Sequence, residues 1–134
     1  MRRFMLVLFV LGSILGLANA QDFKPYAGSK LDSEASREAS AAAPGKQSEV
    51  YTTADSYEKV YAFYKGQYKE FVIGNGGPKL PSGQQIRWAF FILDGAKDLA
   101  TSKYWMKVQR PYVGGSDGKD IREVTITQTV HNKS

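Results

Sequence analysis

Few side chains in this chain of 134 residues can do chemistry on a substrate. There is no cysteine, which removes thiolate catalysis, disulfides and cysteine–zinc sites. The single histidine, His131, stands close to the C-terminus, so neither a histidine triad nor a multi-histidine metal centre can be built. Carboxylates remain. Asp94 and Asp98 flank one turn, and Asp117 and Asp120 lie in another. Acid–base work needs two carboxyls with separated pKa values in a cleft. Aspartates in glycine-rich turns are instead expected to satisfy their own backbone. Asp117-Gly118-Lys119-Asp120 lacks the alternating oxygen ligands and closing glutamate of a calcium loop. Gly74-Asn75-Gly76-Gly77-Pro78-Lys79 lacks the spacing of a phosphate loop and follows a helix rather than opening one. These absences of pattern predict no catalytic residue, no cofactor and no metal.

The more suggestive pattern is basic and aromatic. In KYWMKVQR (103–110), Trp105, Lys107 and Gln109 fall on one face of a strand. Arg87 alternates with Trp88 on another strand, and Tyr112 follows Pro111. Arg87, Trp105, Lys107 and Tyr112 are therefore the candidate binding residues, since rings and cations on a sheet face can stack sugars or meet anionic polymers. A second candidate is the row of helix tyrosines Tyr57, Tyr61, Tyr64 and Tyr68, whose hydroxyls need partners if buried. They would line a ligand pocket at the seam of helix and sheet, or reach backbone and water.

Elements must position these side chains. Asp55-Ser56-Tyr57-Glu58 has the spacing of a capping box, with Asp55 as N-cap, and predicts a helix from Ser56 to about Phe71. Tyr57, Val60, Tyr61, Tyr64, Tyr68 and Phe71 then share an arc of about 100°, the width of a core-facing stripe. Strands are expected at 50–53, 86–93, 103–110 and 123–130. In the last of these Val124, Ile126 and Val130 would face inward and Thr125, Thr127 and Thr129 outward. The order strand, helix, strand, strand, strand predicts an α+β two-layer sandwich, one amphipathic helix on a small, mainly antiparallel sheet. Strand 86–93 is bulky on both faces, so a single helix leaves one face to be covered by residues 21–49, a partner chain or a ligand. The chain's own arm is the expected cover.

Residues 1–20, MRRFMLVLFVLGSILGLANA, carry Arg2 and Arg3, an apolar run and a small-residue cleavage site. This is the pattern of a secretory signal peptide cut before Gln21, and the run is too short for a membrane span. Loss of the two arginines takes the net charge from +5 to +3, a weak electrostatic footprint for nucleic acid. The expected organisation is signal peptide 1–20, arm or linker 21–49 and a compact domain 50–134. The arm's apolar residues at 32–43 are almost all alanine, so a marginal helix or linker is expected there.

Tyr26-Ala27-Gly28-Ser29-Lys30-Leu31 and the run Val50–Lys65 (VYTTADSYEKVYAFYK) together resemble a family of small exported bacterial proteins of unknown function. That family carries a Y-P-G-A-like turn and a T-x-D-S-x-E-x-V-x-x-F-Y-K helix start. Ala27 stands at the usual proline and Ser29 at the usual alanine. The resemblance covers the arm and helix well and the later strands loosely. It implies export and a packing role for the F-Y-K segment, and it brings no activity, cofactor or site residue. The expected function is a non-catalytic binding or protein-interaction module of the periplasm or secreted fraction. It would act as a monomer or homodimer, on a protein or envelope polymer, with no nucleic acid and no transmembrane anchor after cleavage. The alternative is a small enzyme or ligand-binding protein with a pocket at the helix–sheet seam.

Overall fold

The computed structural model describes residues 22–74 and 76–133, so the expected signal peptide and its cleavage site lie outside the described residues. The chain is α+β. Its strands are β1 (Lys30–Leu31), β2 (Lys46–Thr53), β3 (Lys69–Phe71), β4 (Arg87–Ile92), β5 (Tyr104–Arg110), β6 (Tyr112–Gly114), β7 (Asp120–Arg122) and β8 (Thr125–Asn132). Its helices are α1 (Ser33–Ala42) and α2 (Tyr57–Lys65). Six strands form one sheet in the order β1-β2-β8-β5-β4-β3, every pairing antiparallel, and β6 with β7 makes a separate hairpin.

Alternation along β4, β5 and β8 sorts side chains to two faces. On the first face Ala89, Phe91, Met106 and Val108 pack under Tyr57, Val60 and Tyr64 of α2. Thr125, Thr127 and Thr129 lie on this face too and are buried, not turned to solvent as their polarity predicts. The helix is shorter than the stripe suggests. Ser56, not Asp55, is its N-cap and accepts from the Lys59 N–H at 3.2 Å. The Asp55 carboxylate is taken by the Tyr26 hydroxyl at 2.6 Å. Gly66 ends the helix, and Lys69–Phe71 turns back as an edge strand instead of continuing it.

The second face has its own cover, which corrects the one-helix expectation. Ala35 of α1 packs with Val50, Ile126 and Tyr112. With little more than alanine to bury, α1 docks through hydrogen bonds. β1 pairs with only the end of β2, leaving Ser48 and Val50 with free edge groups. The Val50 N–H donates to Ser36 Oγ at 2.8 Å and the Ser48 N–H to Ser40 Oγ at 2.9 Å. Asp32 caps the helix by accepting from the Ala35 N–H. Serines on a helix thus substitute for a missing strand, since buried backbone donors must find partners. The β6–β7 hairpin is tied to the same helix by Arg122 on Asp32 at 3.2 Å and by the Gly115 N–H on Glu38 at 3.3 Å. Segment 30–49 is therefore structural, not a linker, and β2 begins at Lys46, ahead of the predicted strand.

Candidate functional site

On the second face α1 lies over β2 and β8, and the ring trio of β4 and β5 stands to one side of it. Register sets Phe90 opposite Lys107, Trp88 opposite Gln109 and Ile92 opposite Trp105. Trp88 and Phe90 meet with ring centres 5.4 Å apart, and Phe90 meets Trp105 at 5.8 Å. All three rings are half-buried. The Lys107 ammonium sits 6.0 Å from the Trp88 ring centre, a distance at which cation–π attraction acts. Lys107 makes no ion pair among the described residues, and burial holds its ammonium below the ordinary lysine range. The Trp88 indole N–H is buried without an acceptor among the described residues.

Two of the four residues singled out by sequence, Trp105 and Lys107, share this face. The other two do not. Arg87 belongs to the opposite face by strand parity, where it pairs with Glu58 and stacks on Tyr57 with 4.3 Å to the ring centre. Tyr112 is buried between α1 and the sheet, with the Arg122 guanidinium 4.4 Å above its ring. Trp88 and Phe90 complete the tract and were not named in the binding set. Their signal was the double-sided bulk of strand 86–93.

The tract continues around the sheet edge into a slot of about 380 Å³. β3 pairs with β4 only at Phe90–Ile92, and the Gly77 N–H donates to the Ile86 carbonyl, so Arg87–Ala89 have no strand partner on this edge among the described residues. Trp88 and Phe90 line the slot from one side, and Tyr57, Tyr61, Glu70 and Arg87 from the other. Its charges answer one another. Glu70 accepts from Tyr61 Oη at 2.6 Å and from Lys65 Nζ at 3.0 Å. The hydrogen bond from Arg87 holds the Glu58 carboxyl below the usual glutamate range, and burial pushes the Tyr57 hydroxyl up to about 12. General acid–base catalysis works best with a group titrating near the operating pH, and neither displaced group moves toward neutrality.

The remaining tyrosine hydroxyls find backbone. Tyr64 donates to the Lys24 carbonyl at 2.8 Å and Tyr68 to the Asp22 carbonyl at 2.9 Å. Tyr68 also accepts from the Lys24 N–H at 3.0 Å, and Tyr104 from the Phe23 N–H at 3.2 Å. Residues 22–26 are thus a strap over α2 and the first face. The aspartates serve turns. Asp94 accepts from the Lys103 N–H at 2.7 Å and Ser102 Oγ at 2.8 Å; burial raises its pKa, but these bonds outweigh it and the net shift is downward. Asp98 is lowered by the Thr101 hydroxyl and N–H, and Asp117 accepts from the Lys119 N–H. Among the described residues no three His, Cys, Asp or Glu side chains gather as a metal site, and no helix is long and apolar enough to cross a membrane.

No protein-family model matches the chain, and no curated protein and no solved structure matches it.

Proposed function

We infer that this chain is an exported, non-catalytic binding module that works through the aromatic face of β4 and β5. The observation that carries this reading is the contiguous trio Trp88–Phe90–Trp105 beside the unpaired Lys107. Rings at a half-buried surface offer large contact area at low entropic cost, and such anchors dominate binding energy. Export is supported by the pattern of residues 1–20. The test is tryptophan emission during titration with soluble glycan fragments of the cell envelope, comparing wild type with Trp105→Ala. Saturable binding that weakens at least about tenfold in the variant, which still folds and unfolds in one cooperative urea transition, supports the reading. Equal affinity of the two proteins, no binding, or unfolding of the variant counts against it. A concentration-dependent dimer that hides the trio, seen by sedimentation, would assign the face to a second copy instead.

The edge slot favours a second reading, a small-ligand site at the helix–sheet seam, because Arg87, Tyr61 and Glu70 converge on one opening of ligand size. Arg87→Ala separates the two. It abolishes a slot ligand and leaves glycan binding at Trp105 unchanged.

A further inference from the structure

Lys107 borders a second cavity, of about 200 Å³ and open to solvent on one side, between α1, the β6–β7 hairpin and strands β2, β5 and β8. Its walls set apolar side chains, Ala39, Val50, Tyr112 and Ile126 among them, beside Glu38, Lys107, Gln109 and Gln128. The polar groups of the lining are mostly committed. Gln109 Nε2 donates to the Pro111 carbonyl at 3.1 Å, and Gln128 Nε2 to Ser48 Oγ at 3.3 Å. Glu38 accepts from the Gly115 N–H and stands outside ion-pair distance of Lys107. The ammonium of Lys107 is thus a cation on this hollow without an ion-pair partner among the described residues. A partly desolvated cation without a counter-ion is costly, and an anion that enters with an apolar body relieves that cost on both counts. An engineered apolar cavity of about 150 Å³ accepts benzene, so this space takes a body of that size.

We propose that the cavity between α1 and the β6–β7 hairpin binds a small monocarboxylate with an apolar body, its carboxylate on the Lys107 ammonium and its body against Ala39, Val50, Tyr112 and Ile126. Lys107 offers one positive charge and Glu38 of the same lining opposes any anion, so a second negative charge on the ligand gains no partner and a dianion such as phosphate is disfavoured. This inference goes beyond the binding reading above and shares only Lys107 with it, since that residue belongs to both the ring trio's face and the cavity lining.

The test is ligand binding by NMR, with amide shift perturbation of the full mature chain titrated with benzoate, hexanoate, benzyl alcohol and inorganic phosphate. Benzoate and hexanoate should shift amides around Lys107, Tyr112 and Gln128. The neutral alcohol and phosphate should bind at least about tenfold more weakly than benzoate, the worth of one charge-assisted contact. Lys107→Met should weaken benzoate by a similar factor. Glu38→Gln should tighten it a few-fold, a gain that a merely damaged fold would not produce. Absence of saturable carboxylate binding, equal binding of benzoate and benzyl alcohol, or undiminished benzoate affinity in Lys107→Met overturns the proposal. The two failures are distinguishable. If glycan titration shows nothing while benzoate depends on Lys107, the face reading falls and the cavity stands. If Trp105→Ala abolishes glycan binding while benzoate never binds, the cavity proposal falls alone.

Discussion

The two faces of the sheet share the same strands and are finished to different degrees. Under α2, Val60, Tyr64, Phe91, Met106 and Val108 are fully enclosed, and the hydroxyls of Tyr64, Tyr68 and Tyr104 close on the backbone of residues 22–24, with the Thr127 hydroxyl the one buried side-chain polar atom of this face left without a partner among the described residues. Under α1, the helix brings mostly alanine and serine, a cavity persists beside it, and Lys107 and the Trp88 indole lack partners among the described residues. A face that closes its polar groups internally has little left to offer a ligand. A face that leaves donors and rings unanswered has affinity in reserve. The contrast puts the tighter packing on one side and, under the proposed function, recognition on the other.

Substitution of the closed face should cost most. Phe91→Ala leaves a void under α2 and should lower unfolding free energy by about 3–5 kcal/mol in urea titration. Trp105→Ala on the open face should cost about 1 kcal/mol, within the range of partly exposed sites. Comparable losses at the two positions would abolish the distinction between the faces.

Alkali should act on the faces with opposite signs. The folded Tyr57 pKa is raised to about 12 by burial. A raised acid binds more protons in the folded state, so its contribution is intact below about pH 10 and is lost as pH rises toward 12, about 2 kcal/mol once the roughly 2.7 kcal/mol of the full shift is discounted for solvent screening. Lys107 is the reverse. Its folded pKa is lowered, so below that value its charge penalises folding, and the penalty lifts as pH rises toward the unfolded lysine value. Stability of Tyr57→Phe should therefore fall less than wild type above pH 10. The gain of Lys107→Met over wild type should be largest near neutrality, about 1 kcal/mol, and shrink in alkali. A gain that grows with pH would mean that Lys107 is solvated.

The smallest effect tests the strap. Tyr68→Phe removes the hydroxyl that contacts both Asp22 and Lys24 and should cost about 1 kcal/mol, with faster proteolytic nicking near residues 22–26. Unchanged nicking would show that Tyr64 and Tyr104 suffice to hold it.

Local pattern sufficed where one element explains its own residues. β4 and β5 follow directly from aromatic and alternating composition, and the start of α2 is readable to within a residue. It failed where neighbours decide. Nothing in SEASREASAA announces that Ser36 and Ser40 would answer the edge of β2, because that edge exists only after β1 stops short. Lys69–Phe71 continues the helical stripe, yet pairs with β4 because Gly66 has already ended α2. For the site, Trp105 and Lys107 were joined by parity within one strand, whereas Arg87 and Tyr112 needed knowledge of which face and which cover they meet.

Composition and periodicity alone established the lack of thiol and multi-histidine machinery, the α+β class and the division of each strand's side chains into two alternating sets, since these depend on residue type and a backbone repeat of two. Long-range packing decided how the arm, the expected cover, docks on the second face, and it decided the strap, the edge slot and the unpaired state of Lys107. Each of these depends on which distant groups arrive with spare hydrogen-bonding capacity or charge, and a local repeat carries no record of that.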